Sequence, residues 1–594
     1  MDCLNYPNLV AMFFDQAERQ GDKPFLWAKI KDTWQPTTWR QARDQVTRLA
    51  RGLRALGLAR GDRVGLVSEN RPEWVIADLA ILAAGGITVP AYCTNTPDDH
   101  RHILSNSGAR FVFVSTAALA HHLLPAVEQV SSVVGVIAVE PPVPGQLSGA
   151  ELHLWRDVMN KDPGSAEEVQ RWAQTTRRDD VACLIYTSGT GGVPKGVMTT
   201  HGNILANCHG AIKLLETIGL GDEVFLSFLP LSHSYEHTGG MMFPIALGAQ
   251  LYFAERVETL ATNMLEVRPT IMTAVPRLYE TIHQRVLRGV EREGGFKAKL
   301  FHAALRIGRK RIENGRSLTL GERLCDPVLD RLVRSKVKGR FGGRLKALVS
   351  GGAPLNPEIG MFFLALGVPL LQGYGQTEAS PVVSANPPNR IKIHTVGPPM
   401  DGVEVRIADD GEIMVRGESV MKGYWNDADA TARTIENGWL HTGDIGTRDA
   451  DGYLLITDRK RDFIKNSGGE MISPARVEGQ LMLQEEIGQA MVYGDRRPYL
   501  VALVVPRQEF LEQAQKEHKG NGAGTDEAVH KAIAAAVERT NAGLPVAERV
   551  RRFMIAPEPF SIQNGMMTPT LKIKRHAIRQ HYGDALGELY EGKG

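Results

Sequence analysis

Short apolar runs alternate with amphipathic stretches through the first part of the chain. Val46, Leu49, Leu53 and Leu56 recur at helical spacing, and Gly57 supplies a stop. Arg63 to Val67 reads as a strand. Pro72 opens a helix that stays apolar through Leu82 and ends at Gly85-Gly86, after which Ile87 to Ala91 is a second strand. Asp98 to Leu104 predicts a further helix and Arg110 to Ser115 a third strand. Strands that are apolar throughout, separated by helices, predict parallel βαβ units with both sheet faces covered. Trp39 and Trp74 are expected in the core. Further strands are expected over Val181 to Tyr186, Val224 to Leu229, Lys346 to Ser350 and Pro369 to Gln372, with a strand and turn over Thr270 to Glu280. Beyond Gly397 the pattern turns antiparallel: Val403 to Ala408 and Glu412 to Arg416 alternate around Asp409-Asp410-Gly411. The last part has strands at Ala490 to Tyr493 and Leu500 to Val505. A Gly-rich loop follows over Lys519 to Thr525, then a helix with Val529, Ile533 and Val537 on one face.

The fold class is therefore α/β. A large domain over 1–459 holds parallel subdomains and then a small β-barrel-like subdomain at about 397–459. A small α+β domain covers 460–594. At 594 residues the chain is too long for one core. A net charge of +2 gives no reason to expect nucleic acid. The nearest thing to a membrane span, Val75 to Tyr92, is broken by Asp78, Gly85, Gly86 and Pro90. The start, Met1-Asp2-Cys3-Leu4-Asn5-Tyr6, has no basic-then-apolar leader, which predicts a cytoplasmic protein. Cys3, Cys93, Cys183, Cys208 and Cys325 are scattered, as reduced thiols are, and form no zinc-type pair.

The candidate chemistry centres on Tyr186-Thr187-Ser188-Gly189-Thr190-Gly191-Gly192-Val193-Pro194-Lys195-Gly196. Glycines let backbone N–H groups turn toward an anion, the hydroxyls add donors, and Lys195 adds a positive charge. The run predicts a phosphate-wrapping loop. It is not a Walker A loop: Pro194 stands where that motif needs glycine, and the strand-like Val197-Met198-Thr199-Thr200 follows where a helix should open. An ordinary turn is the plain alternative, against which the length of the run and its lysine count. Downstream, Pro230-Leu231-Ser232-His233-Ser234-Tyr235-Glu236-His237 directly follows a strand, a position where open α/β sheets bind ligands. A metal site at His233, Glu236 and His237 is set aside, because three ligands so close have no partner cluster elsewhere.

The loop resembles the T-S-G-T-T-G-x-P-K-G signature of the adenylate-forming superfamily, with Gly191 in place of the usual Thr or Ser. Gly373-Tyr374-Gly375-Gln376-Thr377-Glu378 matches its Y-G-x-T-E motif. Gly423-Tyr424-Trp425 and Gly438-Trp439-Leu440-His441-Thr442-Gly443-Asp444 match two more. The Pro276-Arg277-Leu278-Tyr279-Glu280 wording and a basic helical insertion over 289–345 look like the long-chain fatty-acid branch. The resemblance runs from about residue 10 to 580.

What the resemblance implies is specific. Thr187, Ser188, Gly189, Thr190, Gly192 and Lys195 would bind the nucleotide phosphates, with Gly352, Ala353 and Pro354 as one wall of the adenine pocket. Gln372, Gly373, Tyr374, Gly375 and Thr377 would complete that pocket, Tyr374 stacking on adenine and Thr377 donating to the α-phosphate. Glu378 and Thr190 would hold Mg²⁺, and Asp444 and Arg459 would contact the nucleotide. His233, Val275, Gly351 and Gly375 would line the acyl pocket, His233 standing at its boundary with the nucleotide site. Arg461 would be the hinge, and Ser467, Gly468 and Gly469 would line the coenzyme A tunnel. Lys572 and Lys574 share a face, so spacing does not choose between them. The family's K-[IV]-x-R wording selects Lys572 as the catalytic lysine, alongside Glu378, Thr190 and His233.

The resemblance thus implies a long-chain fatty-acid–CoA ligase using ATP, Mg²⁺ and coenzyme A. Its partners would be small-molecule substrates, with a homodimer left open; the basic charge of 289–345 reads either as a solvated helical surface or as a patch that docks on anionic lipid at the inner face of the membrane. The readings kept beside it are loading of a carrier protein, a medium-chain or aryl acid–CoA ligase, a luciferase-type oxygenase, and a non-catalytic scaffold.

Overall fold

The structure, a computed structural model, describes residues 2–142, 149–162, 164–187, 193–313, 318–460, 463–468, 470–517, 522–568 and 572–591. For Asp458, Glu517 and residues 522–525 it describes the backbone alone. The chain divides into two compact units. The first takes 1–408, 414–442 and 448–455; the second takes 409–413, 443–447 and 456–594.

In the first unit, the helix Pro72–Ala83 starts with proline in its first turn, where a missing N–H costs nothing. It is buried from Trp74 to Ala83, on all its faces, as a helix must be when layers cover it from every side. One eight-stranded sheet runs in the order Gly423–Tyr424, Lys195–Thr200, Val181–Thr187, Ile87–Ala91, Arg63–Val67, Ala109–Val114, Gly135–Ala138, Glu151–Leu154. It is parallel from Val181–Thr187 to the Glu151 edge and antiparallel at the other end. A second eight-stranded sheet has the order Val382–Ala385, Leu370–Gly375, Ala347–Ser350, Ile271–Ala274, Val224–Ser227, Gln250–Phe253, Pro24–Ile30, Thr33–Thr38. Its middle is parallel and both edge pairs are antiparallel. Trp39 and Trp74 lie fully buried in the main core.

Some boundaries differ from the sequence reading. The strand from Val224 stops at Ser227 rather than Leu229. Asn70 is the cause: its amide donates to the Leu229 carbonyl at 2.6 Å and its carbonyl accepts from Leu231 N at 3.0 Å. The turn after Ile271–Ala274 is the first turn of a long helix, Pro276–Glu293, so Gly289, read as the start of the insertion, sits inside a helix that begins before it.

The second unit carries the three-stranded sheet Ile487–Tyr493, Leu500–Pro506, Val550–Ile555. Its alternation is two-sided. Leu500, Ala502 and Val504 join Val477, Ile533 and Val537 on one face, while Val501, Leu503 and Val505 join Ile578, Tyr582 and Leu586 on the other. The helix Gly522–Ala542 begins inside the stretch expected as a Gly-rich loop. Among the described residues around Lys572 there is no strand; an isolated antiparallel bridge joins Met567 and Ile573.

Candidate active site

The strand Val181–Thr187 carries Tyr186 and Thr187 to the start of the loop expected to wrap phosphates, and the strand from Lys195 returns antiparallel, pairing Thr187 with Lys195 and Tyr186 with Gly196. Ser188, Gly189, Thr190, Gly191 and Gly192 lie outside the described residues. The loop's far end is fixed by His102, whose Nε2 meets the Pro194 carbonyl at 2.8 Å. Gly196 leaves a tight fit: a Cβ there would sit 3.1 Å from the Tyr186 ring, which would have to give slightly.

Lys195 Nζ lies 3.1 Å from Asp427 Oδ2 and 5.2 Å from the centre of the Tyr424 ring. The Tyr424 hydroxyl donates to Glu378 Oε1 at 2.8 Å. Burial and the neighbouring Glu378 carboxylate push the Tyr424 phenol far up, so it stays a donor. Asp427 also accepts from Ala430 N at 2.9 Å, capping the helix Ala428–Thr434; that bond and Lys195 hold its carboxyl below the usual range. The lysine expected on phosphate and the carboxylate expected on metal are thus joined through one tyrosine. Neither Asp427 nor His102 belonged to the sequence-derived set. Asp427 lies two residues past the matched Gly423-Tyr424-Trp425 wording, and only three-dimensional neighbourhood reveals His102.

The second sheet presents its carboxyl edge through Gly351, Gly352, Val275 and the run Gln372 to Thr377. A Cβ on Gly351 would lie 2.9 Å from the Tyr235 ring, and one on Gly375 would lie 1.9 Å from the Pro381 carbonyl oxygen. Gly352 has φ +82°, with open space except for Val275 Cγ1 at 3.7 Å. Ala353 and Pro354 are exposed, and Gly373, Tyr374 and Gly375 are half-buried. Buried Gln372 gives its carbonyl to Asn386 N at 2.9 Å. Thr377 is buried, its hydroxyl 3.0 Å from Ser234 Oγ. His233 Nδ1 accepts from Tyr235 N at 3.2 Å.

Glu236 and His237 are engaged by other partners in the core. Glu236 is fully buried and accepts from Ser227 Oγ and Thr273 Oγ1, each at 2.6 Å. Burial pushes its carboxyl up to about 7 against those two hydrogen bonds. His237 Nε2 meets Asp78 Oδ2 at 3.2 Å, and its ring lies edge-on to Trp74.

The other predicted nucleotide groups gather within the second unit. Arg459 Nε donates to Asp444 Oδ1 at 2.9 Å. Burial of its ammonium and the Arg459 charge bring Lys572 down to about 8, with Asp444 pulling the other way; part of the Lys572 side chain stays exposed. The Lys572 N–H donates to Thr568 Oγ1 at 3.0 Å. Ser467 and Gly468 are exposed, Ser467 N donating to the Arg497 carbonyl at 2.9 Å. Arg461 and Gly469 lie outside the described residues.

Glu378 fits a magnesium ligand. It is half-buried at a strand end, and its Oε2 has no protein partner among the described residues. Mg²⁺ keeps several waters and asks the protein for one or two carboxylates beside ligand phosphates.

The AMP-binding enzyme model matches residues 13–425, and the AMP-binding enzyme C-terminal domain model matches 461–594. A long-chain-fatty-acid–CoA ligase, FadD15, of Mycobacterium tuberculosis is 34% identical over 98% of this chain and 97% of its own length. The peroxisomal long chain acyl-CoA synthetase 6 of Arabidopsis thaliana is 33% identical over 94% of this chain and 82% of its own. Among solved structures, the adenylation domain of a carboxylate reductase from Mycobacterium chelonae superposes with a TM-score of 0.76 at 21% identity, covering 99% of this chain and 92% of that one. The anthranilate CoA ligase AuaEII, in complex with anthranoyl-AMP, gives 0.74 at 22%, covering 99% and 100%. These two likenesses carry the fold.

Proposed function

The chain belongs to the AMP-binding enzyme family, and on that premise we propose that it is a long-chain fatty-acid–CoA ligase. It activates a long-chain fatty acid with ATP and passes the acyl group to coenzyme A. The observation that carries the reading is the linked set Lys195–Tyr424–Glu378, with Thr377 beside it, at the ends of strands that can deliver a nucleotide's phosphates.

A carboxylate is a poor acyl donor because its leaving group would be oxide. In the first step its oxygen attacks the α-phosphorus, the bond from that phosphorus to the bridging oxygen of pyrophosphate breaks, and acyl-AMP forms. Lys195 leaves Asp427 for the phosphates, and Thr377 donates to the α-phosphate. Asp444 accepts from the ribose hydroxyls and Arg459 steadies the nucleotide. Lys572 bridges the carboxylate and α-phosphate, fixing the line of attack. Mg²⁺, held by Glu378 with Thr190, supplies charge neutralisation on the phosphates when bound. In the second step the sulfur of coenzyme A attacks the acyl carbon, the bond to AMP breaks, and AMP leaves. Arg461 is the hinge that exchanges Lys572 for the Ser467–Gly468–Gly469 loop between the steps. His233, Val275, Gly351 and Gly375 border the acyl chain.

No helix among the described residues is long and apolar enough to cross a membrane. Peripheral contact, at the inner membrane face, is assigned to the insertion over 289–345. Leu320, Leu324, Val328 and Leu332 form an exposed apolar stripe there. The acids beside it are tied to bases: Glu322 to Lys310, Asp326 to Arg311 and Arg334, Asp330 to Lys338. Arg323, Arg331, Lys336 and Arg340 are exposed and make no ion pair among the described residues. On anionic lipid each such base contributes about 1 kcal/mol.

The test is pyrophosphate release with Mg-ATP across carboxylic acids from acetate to oleate and cinnamates, with and without coenzyme A. Release that peaks at laurate to oleate and turns over only with coenzyme A is the expected result. A peak at short or aromatic acids discards the substrate assignment, and turnover only with a carrier protein discards the acceptor.

A further inference from the structure

Three consecutive residues, Ser234, Tyr235 and Glu236, reach the carboxyl ends of four neighbouring strands. Glu236 clamps Ser227 and Thr273, at the ends of Val224–Ser227 and Ile271–Ala274. Tyr235 donates to the Val349 carbonyl in Ala347–Ser350 at 3.0 Å. Ser234 meets Thr377, just past Leu370–Gly375, with its Oγ 3.0 Å from Thr377 Oγ1. We propose that Ser234 is a positioning residue for acyl-AMP formation: it donates to Thr377 Oγ1 and so leaves the Thr377 proton free for the α-phosphate.

Each hydroxyl has one proton to give and two lone pairs to receive. Facing hydroxyls therefore share one donor, and the direction decides which proton is left over. Ser234 is 3% exposed, and its side chain has no other partner among the described residues. If Thr377 donated, the Ser234 proton would be stranded in a buried site. If Ser234 donates, its proton is satisfied and the remaining one belongs to Thr377, which the motif sets toward the nucleotide. The two clamps behind Ser234 fix its height over the sheet. The arrangement thus holds a donor in place before ATP arrives. The inference rests on the reading of Thr377 as an α-phosphate contact.

The experiment is a double-mutant cycle on single-turnover acyl-AMP formation with full-length S234A, T377V and the double variant, at saturating fatty acid. S234A is expected to slow this step about tenfold, the scale of one directed hydrogen bond. It should leave KM for the acid unchanged and thioester formation from preformed acyl-AMP at the wild-type rate. On the T377V background it should cost less than about twofold, because the partner it aims is gone. S234T, which keeps the hydroxyl, should recover most of the rate. Equal losses on both backgrounds, or an S234A enzyme at full speed, would overturn the assignment. If S234A does not fold, S234C, a weak donor, takes its place in the same cycle, with the same two outcomes deciding. A wild-type enzyme that releases no pyrophosphate with any acid would instead overturn the proposed function.

Discussion

Single charged groups carry the sharpest expectations. Lys572 titrates near 8, so its cation is present below that pH and lost above it. The kcat/KM of acyl-AMP formation for ATP should therefore fall as pH rises through about 8. K572A should lower that step at least about 100-fold while sparing thioester formation from preformed acyl-AMP. Equal loss of both steps would remove Lys572 from its role. Glu236 behaves oppositely. Its carboxyl is raised to about 7 in the folded chain, against 4.5 for a free one, so the folded state holds a proton that the unfolded state has released. Its contribution to stability is complete below about 4.5 and declines as pH rises through 7, by roughly 3 kcal/mol in all. E236Q keeps the shape and cannot ionise. The melting-temperature difference between E236Q and wild type should grow in favour of E236Q from pH 5 to pH 7.5; a constant difference would place the ionisation elsewhere.

At the level of elements, legibility followed the strength of the local signal. Arg63–Val67 and Ile87–Ala91 came out as read, because all-apolar runs between helices have few other places to go. Val224–Ser227 fell short where Asn70, far away in sequence, takes the Leu229 carbonyl that a longer strand would have used. Motif wording located Lys195 and Glu378, but the tyrosine between them, and Asp427, acquire their meaning only from the pairing of Gly423–Tyr424 with Val197 and Met198. Ser234 had no signal at all: it is a small polar residue between two more conspicuous ones. Glycines separate the same way. In Gly375→Ala the new Cβ meets the Pro381 carbonyl at 1.9 Å, which the antiparallel pair cannot relieve, so loss of soluble protein or of ATP binding is expected. Gly289 lies inside the helix Pro276–Glu293 with nothing near its missing Cβ. Gly289→Ala should stabilise that helix by about 1 kcal/mol, read as a higher denaturation midpoint with unchanged turnover.

Across the whole molecule, the division into a large α/β part and a small α+β part was visible in the strands read at Ala490 to Tyr493 and Leu500 to Val505 and in the helix after them. What the pattern could not show is that the second unit is stitched from three separate lengths of chain. The membrane assignment belongs to this scale as well. R323E/R331E should bind anionic vesicles at least tenfold more weakly, while turning over detergent-dispersed fatty acid at the wild-type rate. Equal binding to neutral and anionic vesicles would remove the electrostatic part. The stitched unit also constrains how such a chain can be recombined. A crossover placed anywhere between Arg459 and Lys572 would import Lys572 from one parent and leave its two charged neighbours, Asp444 and Arg459, behind in the other. Shuffled hybrids should therefore inherit a lysine tuned for a pair of residues they no longer share, and exchange should be silent only between parents that agree at those two positions.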